Sequence, residues 1–175
     1  MKWRNTRWFR WIRMMVMSVL VALAVNQFGV ALSVVNGTSM QPTLENGDRL
    51  LVNKFYFLFE KPKVGDVITF EDPSQKGRYL VKRVIGTPGD RIEIKNGAVY
   101  RNGIRVNEPY AKCPVEDGNF GPVMVKPGTV FVMGDNRQRF ASRDSRYESV
   151  GLVPYHLING KVELILYRPS LEAFL

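Results

Sequence analysis

The sequence predicts a mainly β protein, with a single N-terminal transmembrane helix followed by an antiparallel β catalytic domain. Two observations support this: a long apolar run lies near the N-terminus, and beyond it short β-branched and aromatic segments alternate with Asn-Gly turns. The length of 175 residues suits one compact domain, and 45% hydrophobic residues allow a packed core. Because the chain has one cysteine, Cys113, and one histidine, His156, we expect neither a disulfide nor a metal site.

Residues 1–13 form a basic and aromatic segment. The whole chain has a net charge of +9, and this segment carries Lys2, Arg4, Arg7, Arg10 and Arg13 without any acidic residue. Tryptophans are interleaved with these charges, which is a pattern also found in proteins that bind nucleic acid. The apolar run that follows favours a membrane instead, so nucleic acid is not expected as a partner.

The apolar run covers residues 14–35 and is interrupted by Asn26 and Gln27. A helix over this run would be about 33 Å long, enough for a hydrocarbon core of about 30 Å. Positive charges before the run and none within it predict a single-pass protein of the plasma membrane, with a cytoplasmic N-terminus and an exported domain over residues 36–175. The alternative is a secretory signal peptide cleaved after Ala22-Leu23-Ala24.

Short strands are predicted from residue 48 onward. Asn-Gly pairs at 46–47, 96–97, 102–103 and 159–160 are turn signals, and residues 118–127 are expected to form a surface connection. The predicted strands cover residues 48–54, 66–70, 79–85, 90–94, 99–101, 104–106, 129–133 and 161–168.

A serine follows the apolar run closely. Ser39 lies in a Gly/Pro-bounded turn, where an exposed hydroxyl would meet chains that emerge from the membrane. A serine in such a turn more often caps a local backbone amide, so the turn alone does not identify a nucleophile.

Lys82 lies in the predicted strand 79–85. Period two places it on one face with Leu80 and Val84, and burial on an apolar face lowers the pKa of a lysine from its usual value near 10.4. A pKa of about 7–8 suits a general base. The alternative is a lysine whose ammonium group extends into water from an edge strand.

Three ordered motifs resemble the signature boxes of the type I signal peptidases. They are Ser39-Met40-x-Pro42-Thr43-Leu44, Tyr79-x-Val81-Lys82-Arg83-x-Ile85-Gly86-x-Pro88-Gly89-Asp90, and Met133-Gly134-Asp135-Asn136-Arg137 followed by Ser142-Arg143-Asp144-Ser145-Arg146. The resemblance implies a membrane-bound serine endopeptidase that removes signal peptides from exported preproteins after small residues. It implies preproteins, the lipid bilayer and the secretion translocon as partners, and no cofactor.

The resemblance also implies a Ser/Lys dyad with Ser39 as nucleophile and Lys82 as general base. The backbone N–H groups of Ser39 and Gly37 would bind the oxyanion, although some relatives have a serine hydroxyl at position 37. The supporting residues implied by the last motif are Ser142, which orients the lysine amine, the ion pair of Asp144 and Arg146, and Asp135. Residues 138–141 enlarge the loop before Ser142 relative to the family pattern.

Residues 55–59 are five consecutive large apolar residues, Phe-Tyr-Phe-Leu-Phe. Core packing is one interpretation, and the resemblance favours the other, an apolar surface near the active site that dips into the bilayer.

Two functions are alternatives to the general processing enzyme. One is a self-cleaving repressor, which would need DNA-binding helices where the apolar run lies, and the other is a specialised or non-processing relative acting in pilus or surface-protein assembly.

Overall fold

The computed structural model describes residues 3–169. Within them, helix α1 (Trp3–Phe28) is followed by eleven strands and two short helical elements, α2 (Tyr56–Phe59) and a 3-10 turn (Tyr155–Leu157). The strands are β1 (Val30–Val34), β2 (Arg49–Asn53), β3 (Val67–Glu71), β4 (Tyr79–Gly86), β5 (Arg91–Lys95), β6 (Ala98–Arg101), β7 (Ile104–Arg105), β8 (Phe120–Met124), β9 (Thr129–Met133), β10 (Val153–Pro154) and β11 (Ile158–Tyr167).

The strands form two antiparallel sheets, which confirms the mainly β prediction. The larger sheet has seven strands in the order β1-β2-β11-β3-β4-β9-β10, and the smaller has four in the order β7-β6-β5-β8. Every predicted strand segment appears, with ends shifted by at most a few residues. Asn96-Gly97 and Asn102-Gly103 have positive φ and close two hairpins of the small sheet, as the Asn-Gly signal predicts.

The N-terminal prediction is wrong at its C-terminal end. Helix α1 ends at Phe28, and residues 30–34 form β1, which pairs with β2 from Val30 opposite Asn53 to Val34 opposite Arg49. Side chains alternate along this strand, with Val30, Leu32 and Val34 facing outward and Ala31 and Ser33 half-buried. In the part of the chain that the structure describes, no helix is both long and apolar enough to cross a membrane.

Three further segments differ from the predictions. Asn159-Gly160 lies inside β11, not in a turn. A Cβ at position 160 would collide with Val52 and the carbonyl of Asn53 on β2, so close approach of the strands accounts for the glycine. The predicted connection 118–127 contains β8, an edge strand that tolerates Pro122. Residues 55–59 mostly form α2, in which Phe57 packs against the core, as the first interpretation expects, while Phe59 is 84% exposed.

Three buried apolar clusters hold the site residues in place. One, from the large sheet, contains Leu80 and Val84, which flank Lys82 on β4. A second joins the two sheets, and a third packs Met40 and Leu44 against Leu50 and Val52 of β2. The turn that carries Ser39 is therefore anchored to the core by the residue that follows the serine.

Candidate active site

Ser39 and Lys82 lie side by side. Ser39 sits in the turn between β1 and β2, held by the bond from the N–H of Gln41 to the carbonyl of Thr38 and by the buried side chain of Met40. Lys82 extends from β4, and its Nζ lies 2.7 Å from Oγ of Ser39. This separation allows direct proton transfer between the two side chains.

Lys82 is buried, with 2% of its surface exposed. Its Nζ also donates to the carbonyl of Val81 at 2.8 Å. Burial lowers the pKa of Lys82 to about 8, against the opposing effect of the nearby carboxylates of Asp144 and Asp135. An amine with this pKa is substantially neutral in mildly alkaline solution, and only the neutral amine can accept the serine proton.

Asp135 is buried and forms a bidentate ion pair with Arg83, the residue after Lys82. Its Oδ2 also accepts the hydroxyl of Thr43 at 2.5 Å. Because Thr43 belongs to the turn of Ser39, Asp135 joins that turn to β4 next to Lys82. Asp135, expected as a supporting residue, is thus bonded both to the turn of Ser39 and to β4.

Ser142, Asp144 and Arg146 form a hydrogen-bonded group beside the dyad. The hydroxyl of Ser142 donates to Oδ2 of Asp144 at 2.8 Å, and Arg146 binds the same carboxylate through Nε at 2.8 Å and an NH2 group at 3.0 Å. Among residues 3–169, the hydrogen-bond partners of the Lys82 amine are Ser39 and Val81, so Ser142 makes no direct bond to it.

Gly134 lies where the Ser142 group meets the turn of Ser39. A Cβ at this position would overlap Oγ of Ser142 and the carbonyl oxygen of Ser39. The N–H of Gly134 donates to Oδ2 of Asp144 at 3.0 Å. Only glycine permits this approach, which brings the two halves of the site together.

The two backbone N–H groups expected to bind the oxyanion differ in their hydrogen bonds. The N–H of Gly37 donates to Oδ1 of Asn46 at 2.8 Å. The N–H of Ser39 has no acceptor among residues 3–169. Gly37 adopts φ +114°, a conformation that side chains rarely adopt, so the local backbone path accounts for a glycine here.

Comparison with known proteins identifies the family. The family model described as "Signal peptidase, peptidase S26" matches residues 8–167. The chain belongs to the signal peptidases of family S26. It is therefore a serine endopeptidase, and cleavage of signal peptides is the activity of that family.

The relatives match almost the full length of this S26 peptidase. Signal peptidase I of Bacillus licheniformis is 38% identical over 91% of this chain and 88% of its own. Signal peptidase I T of Bacillus subtilis is 36% identical over 95% of this chain and 89% of its own. The crystal structure of a signal peptidase I from Enterococcus faecalis superimposes with a TM-score of 0.50 at 30% identity, covering 59% of this chain and 98% of that one.

Three carboxylates that sequence reasoning missed hold the last signature motif of this S26 peptidase. This acidic cluster consists of Glu108, Glu116 and Asp117. Glu108 forms a bidentate pair with the buried Arg137, at 2.6 and 2.8 Å. Oδ2 of Asp117 accepts from Arg146 at 2.7 Å.

The acidic cluster also fixes the enlarged loop 138–141. The backbone N–H of Arg139 donates to Glu116 at 3.1 Å, and that of Phe140 donates to Asp117 at 3.0 Å. The extra residues are thus accommodated at the surface, and Ser142 stays buried against Asp144. No local motif marks these carboxylates, because their partners lie about 20 to 30 positions away in the sequence.

Proposed function

We propose that this chain is a signal peptidase that cleaves N-terminal signal peptides from exported preproteins after small residues, with Ser39 as nucleophile and neutral Lys82 as general base. The observation that carries the proposal is the 2.7 Å separation of Nζ and Oγ at a lysine that is 2% exposed. Burial and proximity together supply what a Ser/Lys dyad needs, an amine that can be neutral and a hydroxyl within its reach.

The reaction follows from this geometry. The neutral amine of Lys82 takes the proton from Oγ of Ser39 as that oxygen attacks the scissile carbonyl and forms a tetrahedral intermediate. The ammonium then gives the proton to the leaving amine, the C–N bond breaks, and the signal peptide stays on Ser39 as an ester. Water, deprotonated by the same amine, hydrolyses the ester and regenerates the hydroxyl.

The N–H of Ser39 stabilises the negative charge of the intermediate by donating a hydrogen bond to it. This group is free of other acceptors among the described residues, whereas the N–H of Gly37 is already bonded to Asn46. Removal of one oxyanion-hole donor from a serine peptidase costs about 10²–10³ in kcat.

Asp144 and Asp135 oppose the effect of burial on the pKa of Lys82. Both carboxylates lie close enough to raise the pKa of Lys82 against the lowering effect of burial. Arg146 and Arg83 hold these carboxylates in place, and Ser142 adds a hydrogen bond to Asp144. Burial therefore favours the neutral amine, and these carboxylates limit how far the pKa falls, so that the amine stays basic enough to accept a proton.

The protein acts at the plasma membrane, with its basic N-terminal segment on the cytoplasmic side and the β domain outside, where preproteins leave the translocon. The charge bias of residues 1–13 supports this orientation. Exposed apolar side chains on α2 and on the outer faces of β1 and β11 would contact lipid, among them Leu58, Phe59, Leu32 and Leu164.

Cleavage of a preprotein by the purified full-length protein tests the dyad. Wild type releases the mature protein when the residue before the cleavage site is alanine, and phenylalanine at that position blocks release. Ser39→Ala and Lys82→Ala abolish cleavage, while Lys126→Ala, which alters an exposed lysine, leaves it unchanged. Equal cleavage by wild type and both dyad variants would refute the mechanism.

A topology reporter tests the location separately. A reporter that is active only outside the cytoplasm, fused to the C-terminus, gives signal in intact cells. Changing the five basic residues of positions 1–13 to glutamine lowers the signal, because the orientation depends on them. Activity of a cytoplasmic reporter at the same position would overturn the orientation.

A further inference from the structure

Asn136 donates two hydrogen bonds to the turn that carries the nucleophile. The backbone N–H of Asn136 donates to the carbonyl of Ser39 at 3.1 Å, and its side-chain Nδ2 donates to the carbonyl of Thr38 at 3.1 Å. The side-chain Oδ1 accepts the N–H of Gln138 at 3.1 Å, which fixes the orientation of the amide. Asn136 therefore holds two successive carbonyls at the nucleophile.

One of these bonds acts on the peptide unit that contains the oxyanion donor. The carbonyl of Thr38 and the N–H of Ser39 belong to the same planar peptide group and point in opposite directions. A hydrogen bond that fixes the oxygen therefore also fixes the direction of the N–H. The same bond polarises the peptide and strengthens the N–H as a donor.

The rest of the turn leaves this N–H as the main backbone donor. The N–H of Gly37 is engaged by Asn46, and the N–H of Ser39 has no acceptor within residues 3–169. Gly37 also lacks any side-chain hydroxyl. Correct aim of a single N–H then carries more weight than in a site with two donors.

We propose that Asn136 is a positioning residue that aims the N–H of Ser39 at the oxyanion of the tetrahedral intermediate. The inference rests on the proposed Ser/Lys mechanism and extends it to a residue that touches neither substrate nor reacting atoms. Its contribution appears only when the carbonyl oxygen becomes negatively charged, so it affects the transition state and not substrate binding.

Substitution of the side chain tests the proposal. Asn136→Asp keeps the shape but replaces the Nδ2 donor by a carboxylate oxygen that faces the carbonyl of Thr38. We expect kcat to fall about 10–100-fold with KM within about twofold, and Asn136→Ala to give a smaller fall in kcat because it adds no repulsion. Asn107→Asp makes the same change in charge at an exposed asparagine and leaves kcat unchanged.

A peptide aldehyde that ends in alanine separates positioning from general damage. The aldehyde adds to Oγ of Ser39 and forms a hemiacetal, whose oxygen occupies the oxyanion position. The affinity of the aldehyde falls in Asn136→Asp by about the same factor as kcat/KM. Binding of an uncleaved peptide, measured with Ser39→Ala in the background, does not change. The melting temperature stays within a few degrees of wild type.

Two results would overturn the role of Asn136. One is a wild-type kcat in Asn136→Asp, and the other is weakened binding of the uncleaved peptide that accounts for the loss. The pH–rate profile of Asn136→Ala keeps its midpoint near 8, the pKa of Lys82, because the general base is undisturbed. Retained cleavage by Ser39→Ala or Lys82→Ala would instead refute the dyad, so the two failures are distinguishable.

Discussion

Arg83 and Asp135 form a bidentate ion pair that joins the strand of the general base to the segment after β9. Nε of Arg83 lies 2.8 Å from Oδ1 of Asp135, and an NH2 group lies 2.6 Å from Oδ2. Arg83 directly follows Lys82, and Asp135 stands between Gly134 and Asn136, both of which contact the turn of Ser39. The pair thus links Lys82, through its neighbour Arg83, to the turn of Ser39, through the residues that flank Asp135.

Loss of this pair is expected to be costly. The side chain of Asp135 is fully buried and that of Arg83 is 12% exposed, so Asp135→Ala leaves a guanidinium without its partner in a site that water hardly reaches. We expect the free energy of unfolding, measured by urea denaturation, to fall by about 3–5 kcal/mol. The control is Glu93→Ala, which breaks the pair with the largely exposed Lys95 and costs less than about 1 kcal/mol. Equal losses in the two variants would contradict this assignment.

The rate of cleavage should follow the protonation state of Lys82. Its pKa is lowered to about 8 by burial, so kcat/KM falls about tenfold per pH unit well below that value and levels off above it. The measurement is a pH–rate profile with a neutral peptide substrate. A rate that peaks below pH 6 would exclude a neutral lysine as the base.

Burial of Lys82 also makes stability depend on pH. Between its folded pKa of about 8 and its unfolded value of 10.5, the unfolded chain binds more protons, so stability rises with pH across this window. Across this window we expect the free energy of unfolding of wild type to rise by about 3 kcal/mol relative to that of Lys82→Met, which has no such titration. Urea denaturation of both proteins at several pH values measures the difference. A constant difference between them would show that the lysine is not neutral in the fold.

Gly134→Ala is expected to remove activity. The added Cβ would overlap Oγ of Ser142 and the carbonyl of Ser39, so the turn of the nucleophile must shift. A shift of about 1 Å costs about 10²-fold in rate, which a single-turnover assay detects. Gly103→Ala is the control for activity, because the space around that turn is open, although its φ of +80° makes alanine cost about 1–2 kcal/mol of stability there. Full activity in Gly134→Ala would mean that the site tolerates a looser approach.

The acidic cluster gives a fourth substitution to test. Asp117→Asn removes the charge that pairs with Arg146, whose side chain is 4% exposed, and weakens the bond that holds the backbone of Phe140. We expect a loss of about 2–4 kcal/mol in stability, together with reduced kcat because Arg146 also holds Asp144. Glu60→Gln, in an exposed pair with Lys63, serves for comparison and has little effect on either quantity. An unchanged kcat in Asp117→Asn would limit the cluster to a role in stability.

The closeness of Ser39 and Lys82 was expected from the resemblance of three ordered motifs, not from either residue alone. A serine in a Gly/Pro-bounded turn more often caps a backbone amide, and a lysine between Leu80 and Val84 could equally extend into water. The predicted strands were found from local signals, since alternation and Asn-Gly turns act over short distances.

The remaining features depend on contacts that no local pattern shows. The run 30–34 is as apolar as a membrane segment, and only pairing with β2 reveals a strand. Asn159-Gly160 has the sequence of a turn, but it lies in β11, where the glycine fits the close approach of β2. The bond from Gly37 to Asn46 and those from the acidic cluster bring together residues far apart in the chain, so they could not be inferred from either partner alone.

Strand β1 determines how far the nucleophile can lie from α1. The helix ends at Phe28, so the chain from there to Ser39 spans at most about 40 Å even when fully extended. Much of it is paired in register with β2, and Met40 is buried beyond it, so the connection has little slack. The segment therefore limits how far Ser39 can lie from the end of α1. In the proposed peptidase, an insertion of one or two residues between Val35 and Thr38 would change the distance between α1 and the scissile bond without altering Ser39 or Lys82.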